Sequence, residues 1–240
     1  MRFIIQGLVI ASFPPACGRP ALYEKRGISA TNCGEKVFFF LVRSVATKES
    51  RGVLATNEGE IPMIRPSEDR DVAAIAAIYR HHVMHGIASF EEEPPEPDEI
   101  ARRRDEILAG GLPYLVAERA GRVLGYCYAS RYRSRSAYRF SVEDSIYIDQ
   151  AELGRGIGRA LLSELIERCA ALGYRQMVAV IGGSEQWPSI RLHRALGFTE
   201  IGTLRAIGYK FGGWVDTVLM QLALGDGATT SPGRIGGEHD

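Results

Sequence analysis

Apolar positions between residues 63 and 222 switch repeatedly between two periods, and that switching predicts a succession of strands and helices. Met63-Ile64-Arg65 reads as a short strand. Glu68 or Asp69 then caps a helix in which Val72, Ile75, Ala76 and Tyr79 fall at the i, i+3, i+4, i+7 spacing of one helical face. After a proline-rich acidic loop at 90–97, residues 98–108 read as a second, charged helix. Residues 114–118 and 123–129 read as strands joined around Ala120-Gly121-Arg122, a hairpin signal. A further strand is expected at 145–148. From 156 to 172, Ile157, Leu161, Leu165, Cys169 and Leu172 recur at helical spacing, and Gly173 is the stop. Residues 177–181 form an apolar, buried-looking strand, 188–196 a helix ended by Gly197, and 198–203 and 215–222 closing strands. The order predicts an α/β fold with a mixed sheet and no internal repeat.

Outside this region the pattern lapses. Residues 1–60 mix Gly, Pro, Ser and Thr around one apolar patch at 37–42 and read as a poorly ordered extension, with Met63 a natural place for translation to start. Residues 225–240 read as a disordered tail, which leaves 61–224 as the single domain. The 29 basic and 29 acidic residues cancel, which argues against a nucleic-acid or other general polyanion binder. No run reaches the roughly 18 apolar residues of a membrane span. The apolar start at 1–10 is broken by Gln6 and Gly7 and is followed by no signal-peptide cleavage site. Cys17, Cys33, Cys127 and Cys169 have neither CxxC spacing nor nearby histidines, so no metal site is expected and a reducing cytoplasm fits.

Candidate chemistry concentrates after the strand that ends Ile146-Tyr147-Ile148. There the glycine-rich turn Leu153-Gly154-Arg155-Gly156-Ile157-Gly158-Arg159 opens directly into an amphipathic helix. A helix start offers unpaired N–H groups and the positive end of the helix dipole, a suitable seat for a pyrophosphate. Glycines at 154, 156 and 158 remove Cβ atoms that would hold phosphate oxygens off, and Arg155 and Arg159 add charge. A P-loop needs a Gly-Lys-Ser/Thr ending, which is missing. A dinucleotide fingerprint needs different glycine spacing and an acid about 20 positions on, where the chain is apolar. The plain alternative is that these glycines serve only the conformation of a helix start.

Several segments resemble the GNAT acetyltransferase superfamily, and within it the phosphinothricin-type N-acetyltransferases, over nearly all of residues 62–222. They are Ala88-Ser89-Phe90-Glu91, residues 137–143 (AYRFSVE), the turn at 153–159, residues 192–198 (LHRALGF), and residues 208–212 (GYKFG) with Trp214 and Asp216. The resemblance implies a GNAT acyltransferase fold, a mixed, mostly antiparallel, splayed sheet flanked by helices. It also implies acetyl-CoA as cosubstrate, held by Ile146, Tyr147, Ile148, the turn from Gly154 to Arg159, Gln186 and Ser189. The acceptor amine attacks the thioester directly, and because an ammonium has no lone pair a proton acceptor is required. Glu143, placed just before the strand, is the candidate base. His193 stands where many GNAT enzymes carry a tyrosine acid; it serves either that role or as a packed residue. Phe90, Tyr138, Arg139 and Lys210 are the expected acceptor pocket, with phosphinothricin, methionine sulfoximine or methionine sulfone as acceptor type. A homodimer is implied as well. Leu153, Gln186 and Val215 depart from the family pattern, and the rival functions are acetylation of peptide N-termini or polyamines, or a non-catalytic acyl-CoA-binding module.

Overall fold

The computed structural model describes residues 62–233; the extension at 1–60 and residues 234–240 of the tail lie outside the described residues. Seven strands form one sheet in the order β1-β2-β3-β4-β5-β7-β6. They are β1 Met63–Pro66, β2 Tyr114–Arg119, β3 Arg122–Arg131, β4 Ser141–Ile148, β5 Gln176–Gly182, β6 Thr199–Lys210 and β7 Gly213–Ala223. The helices are α1 Val72–His85, α2 Pro97–Ala109, α3 Ile157–Ala171 and α4 Trp187–Ala195. Helix α2 starts with Pro97 in its first turn, where the missing N–H costs nothing. Gly156, at φ +80°, begins α3 from the left-handed region.

Every neighbouring pair of strands is antiparallel except β4 and β5. A parallel pair needs a long crossover, and α3 supplies it. Its apolar face, Leu161, Leu162, Leu165 and Cys169, lies fully buried against Leu115, Cys127, Val142, Met177 and Met220. Helices α1 and α2 cover the opposite face, with Ile75, Val83 and Ile100 against Tyr114, Val116 and Tyr126. The parallel ladder is short, joining only Ser141–Asp144 to Gln176–Ala179. Beyond it β4 stays with β3 and β5 with β7, so the sheet splits into a wedge.

Two strands differ from the sequence expectation. Strand β4 begins four residues earlier than expected, because Asp144 interrupts the apolar row Val142, Ile146, Ile148 on one face and hides the alternation. Glu143 therefore lies inside β4, not before it. Strand β6 continues past Thr203 to Lys210 as an edge strand. Its exposed Ile201, Leu204, Ile207 and Tyr209 obscure any inside–outside pattern. After β7, Leu224 is buried and Asp226 pairs with Arg175 at 3.3 Å.

Candidate active site

A cavity of about 310 Å³ opens where β4 and β5 part, walled by both strands, by the loop at 88–90 and by α4. Glu143 and Asp144 follow one another along β4 and so face opposite sides of the sheet, and both reach the cavity wall. Glu143 is half-buried. Burial pushes its carboxyl pKa up, the charge of Asp144 adds to the effect, and Arg133 opposes it. A carboxylate so tuned retains a proton more readily than an ordinary glutamate, which suits a base working toward neutral pH.

His193 sits on α4 with only 2% of its side chain exposed. Its Nδ1 donates to the Ser189 carbonyl at 2.8 Å, its Nε2 meets Asp144 Oδ2 at 3.0 Å, and its ring packs edge-on against Phe198. Burial disfavours charge on the ring, but the hydrogen bond and charge of Asp144, with help from the Ser189 carbonyl, outweigh it and raise the pKa. Both nitrogens are thus engaged within the protein. Asp144 escaped the sequence reading, although an acid in the middle of an apolar strand is a detectable signal.

The glycine turn lies at the β4 side of the wedge. Gly154 and Gly156 have φ of +76° and +80°, and a Cβ built at either would meet nothing within 4 Å. Gly158 differs: a Cβ there would come within 3.2 Å of Leu192 Cδ2, so this glycine lets α3 approach α4. Ile157 is buried in the core, and Arg159 is exposed with no ion pair among the described residues. Arg155 lies 3.4 Å from buried Glu152, which also receives Arg119 at 2.8 Å. Ile146, Tyr147, Gln186 and Ser189 line the cavity, and the Ile148 carbonyl accepts a hydrogen bond from His82 Nε2 at 2.8 Å.

On the other side, the loop at 86–90 is assembled by distant partners. Lys210, expected to hold the acceptor, is instead buried and donates from Nζ to the carbonyls of Gly86 at 2.9 Å and Ser89 at 2.7 Å. Its charge is spent on fixing the loop. Phe90 does reach the cavity; its ring lies where a Cβ on Gly208 would be, 2.3 Å away, and the Ile87 carbonyl sits 2.1 Å from a Cβ built on Gly182. Neither glycine contact was foreseen. The Ser89 hydroxyl pairs with Tyr79 Oη at 2.8 Å. Tyr138 and Arg139 do not line the cavity: Tyr138 packs edge-on against Tyr132, and Arg139 stacks over Phe140 and donates to the Ser136 carbonyl.

A split sheet with a glycine turn at its parallel crossover, and a tuned carboxylate at the split, defines an acyl-CoA-using transferase. The acetyltransferase (GNAT) family model matches residues 75–198, and the chain belongs to that family as an acetyl-CoA-dependent N-acetyltransferase. A phosphinothricin N-acetyltransferase of Alcaligenes faecalis is 53% identical over 169 residues, 70% of this chain and 86% of its own length. An L-methionine sulfoximine/L-methionine sulfone acetyltransferase of Salmonella typhimurium is 39% identical over 165 residues, 69% of this chain and 96% of its own length. The crystal structure of a GNAT superfamily phosphinothricin acetyltransferase from Sinorhizobium meliloti in complex with acetyl-CoA matches with a TM-score of 0.72 at 49% identity, covering 74% of this chain and 97% of that one. The residues present here fit the cosubstrate, since a Cβ at Gly154 or Gly156 would meet nothing within 4 Å and α3 starts directly after them, where a helix leaves its first N–H groups without intrahelical partners.

Proposed function

We propose that this enzyme acetylates the primary amine of a small amino-acid analogue of the phosphinothricin, methionine sulfoximine or methionine sulfone type, with Glu143 as the base. The observation that carries this reading is the half-buried, pKa-raised Glu143 in the wall of a cavity too small for a folded partner. The named acceptors of the similar enzymes support the substrate class. Glu143 takes the proton that the acceptor amine gives up as its nitrogen bonds to the acetyl carbon. The turn from Gly154 to Arg159 and the wall residues Gln186 and Ser189 hold acetyl-CoA, which supplies the activated acetyl group. Phe90 closes the acceptor end. An acceptor screen with thiol detection tests the substrate class: turnover only of peptides or polyamines would overturn it.

Glu143→Gln should lower kcat by about 100-fold, the lower end of what a general base commonly contributes. An unchanged rate near neutral pH would rule the base out. The carboxylate must be ionised to work, so activity should fall as pH drops through a pKa lying above the ordinary glutamate value of about 4.3. A pH–rate profile whose acid limb stays in the ordinary range would contradict this environment.

We also place the enzyme in the cytoplasm, where the buried free thiols of Cys127 and Cys169 are at home, and as a homodimer. Pairing is supported by the exposed apolar surface of the β6–β7 hairpin, where Ile207, Tyr209, Phe211 and Trp214 are each more than half exposed. Light scattering that gives a monomer mass would overturn the dimer.

A further inference from the structure

Thr217 lies on β7 directly opposite Gly182 of β5. Residues along a strand alternate between faces: Val218 and Met220 turn to the α3 side, where both join the core, so Thr217 turns the other way. Directly paired residues share a face, and on this one the missing Cβ of Gly182 leaves room for the Ile87 carbonyl and the Phe90 ring. Glu143 shares that face too, because it pairs with Val178, four positions before Gly182 on β5. Thr217 is only 4% exposed and lines the cavity. The other hydroxyls of the wall are engaged: Ser89 pairs with Tyr79 at 2.8 Å, Ser189 stands 3.5 Å from His193 Nδ1, Ser145 meets the Tyr128 hydroxyl and Tyr147 that of Tyr79. The Thr217 hydroxyl makes no hydrogen bond among the described residues. A buried hydroxyl without a partner carries a desolvation cost, which a polar ligand group in the cavity would remove.

We propose that Thr217 is a specificity-determining residue for the acceptor, its hydroxyl donating to the oxygen of a tetrahedral oxo group on the acceptor side chain, as in a sulfone, sulfoximine or phosphinate. The inference rests on the small amino-acid reading of this cavity. The four-residue offset between Val178 and Gly182 puts Glu143 and Thr217 at levels about 13 Å apart, at ~3.3 Å per residue. A hydrogen bond of ~3 Å at each end takes up nearly half of that span. The rest suits an acceptor whose amine and oxo-bearing atom are separated by a short carbon chain, as in all the acceptors named above. Glu143 then takes the amine's proton near the floor of the cavity while Thr217 holds the oxo group beside Phe90. A thioether in the same place is a weak acceptor and would leave the hydroxyl unpaired, so methionine itself is the substrate this wall disfavours.

Steady-state kinetics with methionine sulfone against methionine, which differ only in the oxo oxygens, test the inference. The parent enzyme should favour the sulfone in kcat/KM by about tenfold or more. Thr217→Val keeps the shape of the side chain and exchanges its hydroxyl for a methyl group. It should cut kcat/KM for the sulfone about tenfold, chiefly by raising KM, as loss of a contact made equally in the ground and transition states does. For methionine kcat/KM should rise, so the preference collapses, and Thr217→Ser, which keeps the hydroxyl, should retain it. A preference that persists in a folded Thr217→Val, or a parent enzyme indifferent to the oxo group, would overturn the inference. Glu143→Gln lowers kcat for both acceptors alike, and turnover only of peptides or polyamines removes the substrate class itself, so failure of either earlier assignment is distinguishable from failure of this one.

Discussion

The turn at 153–159 follows the strand β4 that walls the cavity and the loop at 86–90 lines the cavity through Ser89 and Phe90, but the two are built by opposite means. The first is local: consecutive residues, two left-handed glycines and the start of α3 make it, and almost no side chain is involved. The second is held by residues far along the chain, with Lys210 tying down two of its carbonyls and Gly182 and Gly208 yielding the space in which Ile87 and Phe90 sit. A backbone cradle tolerates side-chain changes that leave its dihedral angles alone. A loop wedged against distant glycines does not tolerate even a methyl group beneath it.

Substitutions on the two sides should therefore separate cosubstrate binding from acceptor turnover. The largest effect is expected for Gly182→Ala, whose methyl would meet the Ile87 carbonyl at 2.1 Å. Overpacking of this kind costs about 1–3 kcal/mol, and we expect the upper end, with acceptor kcat/KM falling more than acetyl-CoA affinity. Urea melts and steady-state kinetics would show it; equal losses for both substrates would erase the distinction. Next, Lys210→Met should orphan two carbonyls, cost about 2 kcal/mol of stability and raise the acceptor Michaelis constant, because a buried acceptor without a donor typically costs ~1–3 kcal/mol. Gly156→Val forces a branched residue to φ +80°. At about 1–2 kcal/mol of strain, it should weaken acetyl-CoA binding about tenfold by calorimetry and leave the acceptor constant alone. The smallest effect belongs to Arg155→Ala, whose half-exposed side chain makes a single 3.4 Å contact with Glu152. Exposed ion pairs are worth only ~0–1 kcal/mol, so acetyl-CoA affinity should barely move; a loss matching that of Gly156→Val would mean that charge, not backbone, grips the cosubstrate.

The same contrast explains what the sequence made legible. Helical periodicity and a glycine cluster are short-range signals, so α3, its turn and the order of elements could be read from neighbouring residues. The partners that complete the site lie far apart: His193 and Asp144 are 49 residues apart, and Lys210 reaches back 121 residues to Ser89. No periodicity encodes such meetings. The resemblance of its segment to the family's substrate-facing loops implies an acceptor ligand at Lys210, and only the folded register of β6 reveals its burial. Glu143 was recognised through its neighbours, but its place within β4 was hidden by the very acid that pairs with His193.

The parallel ladder between β4 and β5 is four residues long, and that count sets the depth of the cleft. Strands advance by about 3.3 Å per residue, so the floor of the cavity can move only in steps of that size. One more pair would join Ser145 to Val180 and raise the floor by one step; one fewer would unpair Asp144 from Ala179 and lower it by one. Cleft depth in this fold is thus a whole-number property, changed by shifting where two strands part company and not by trimming the side chains that line them.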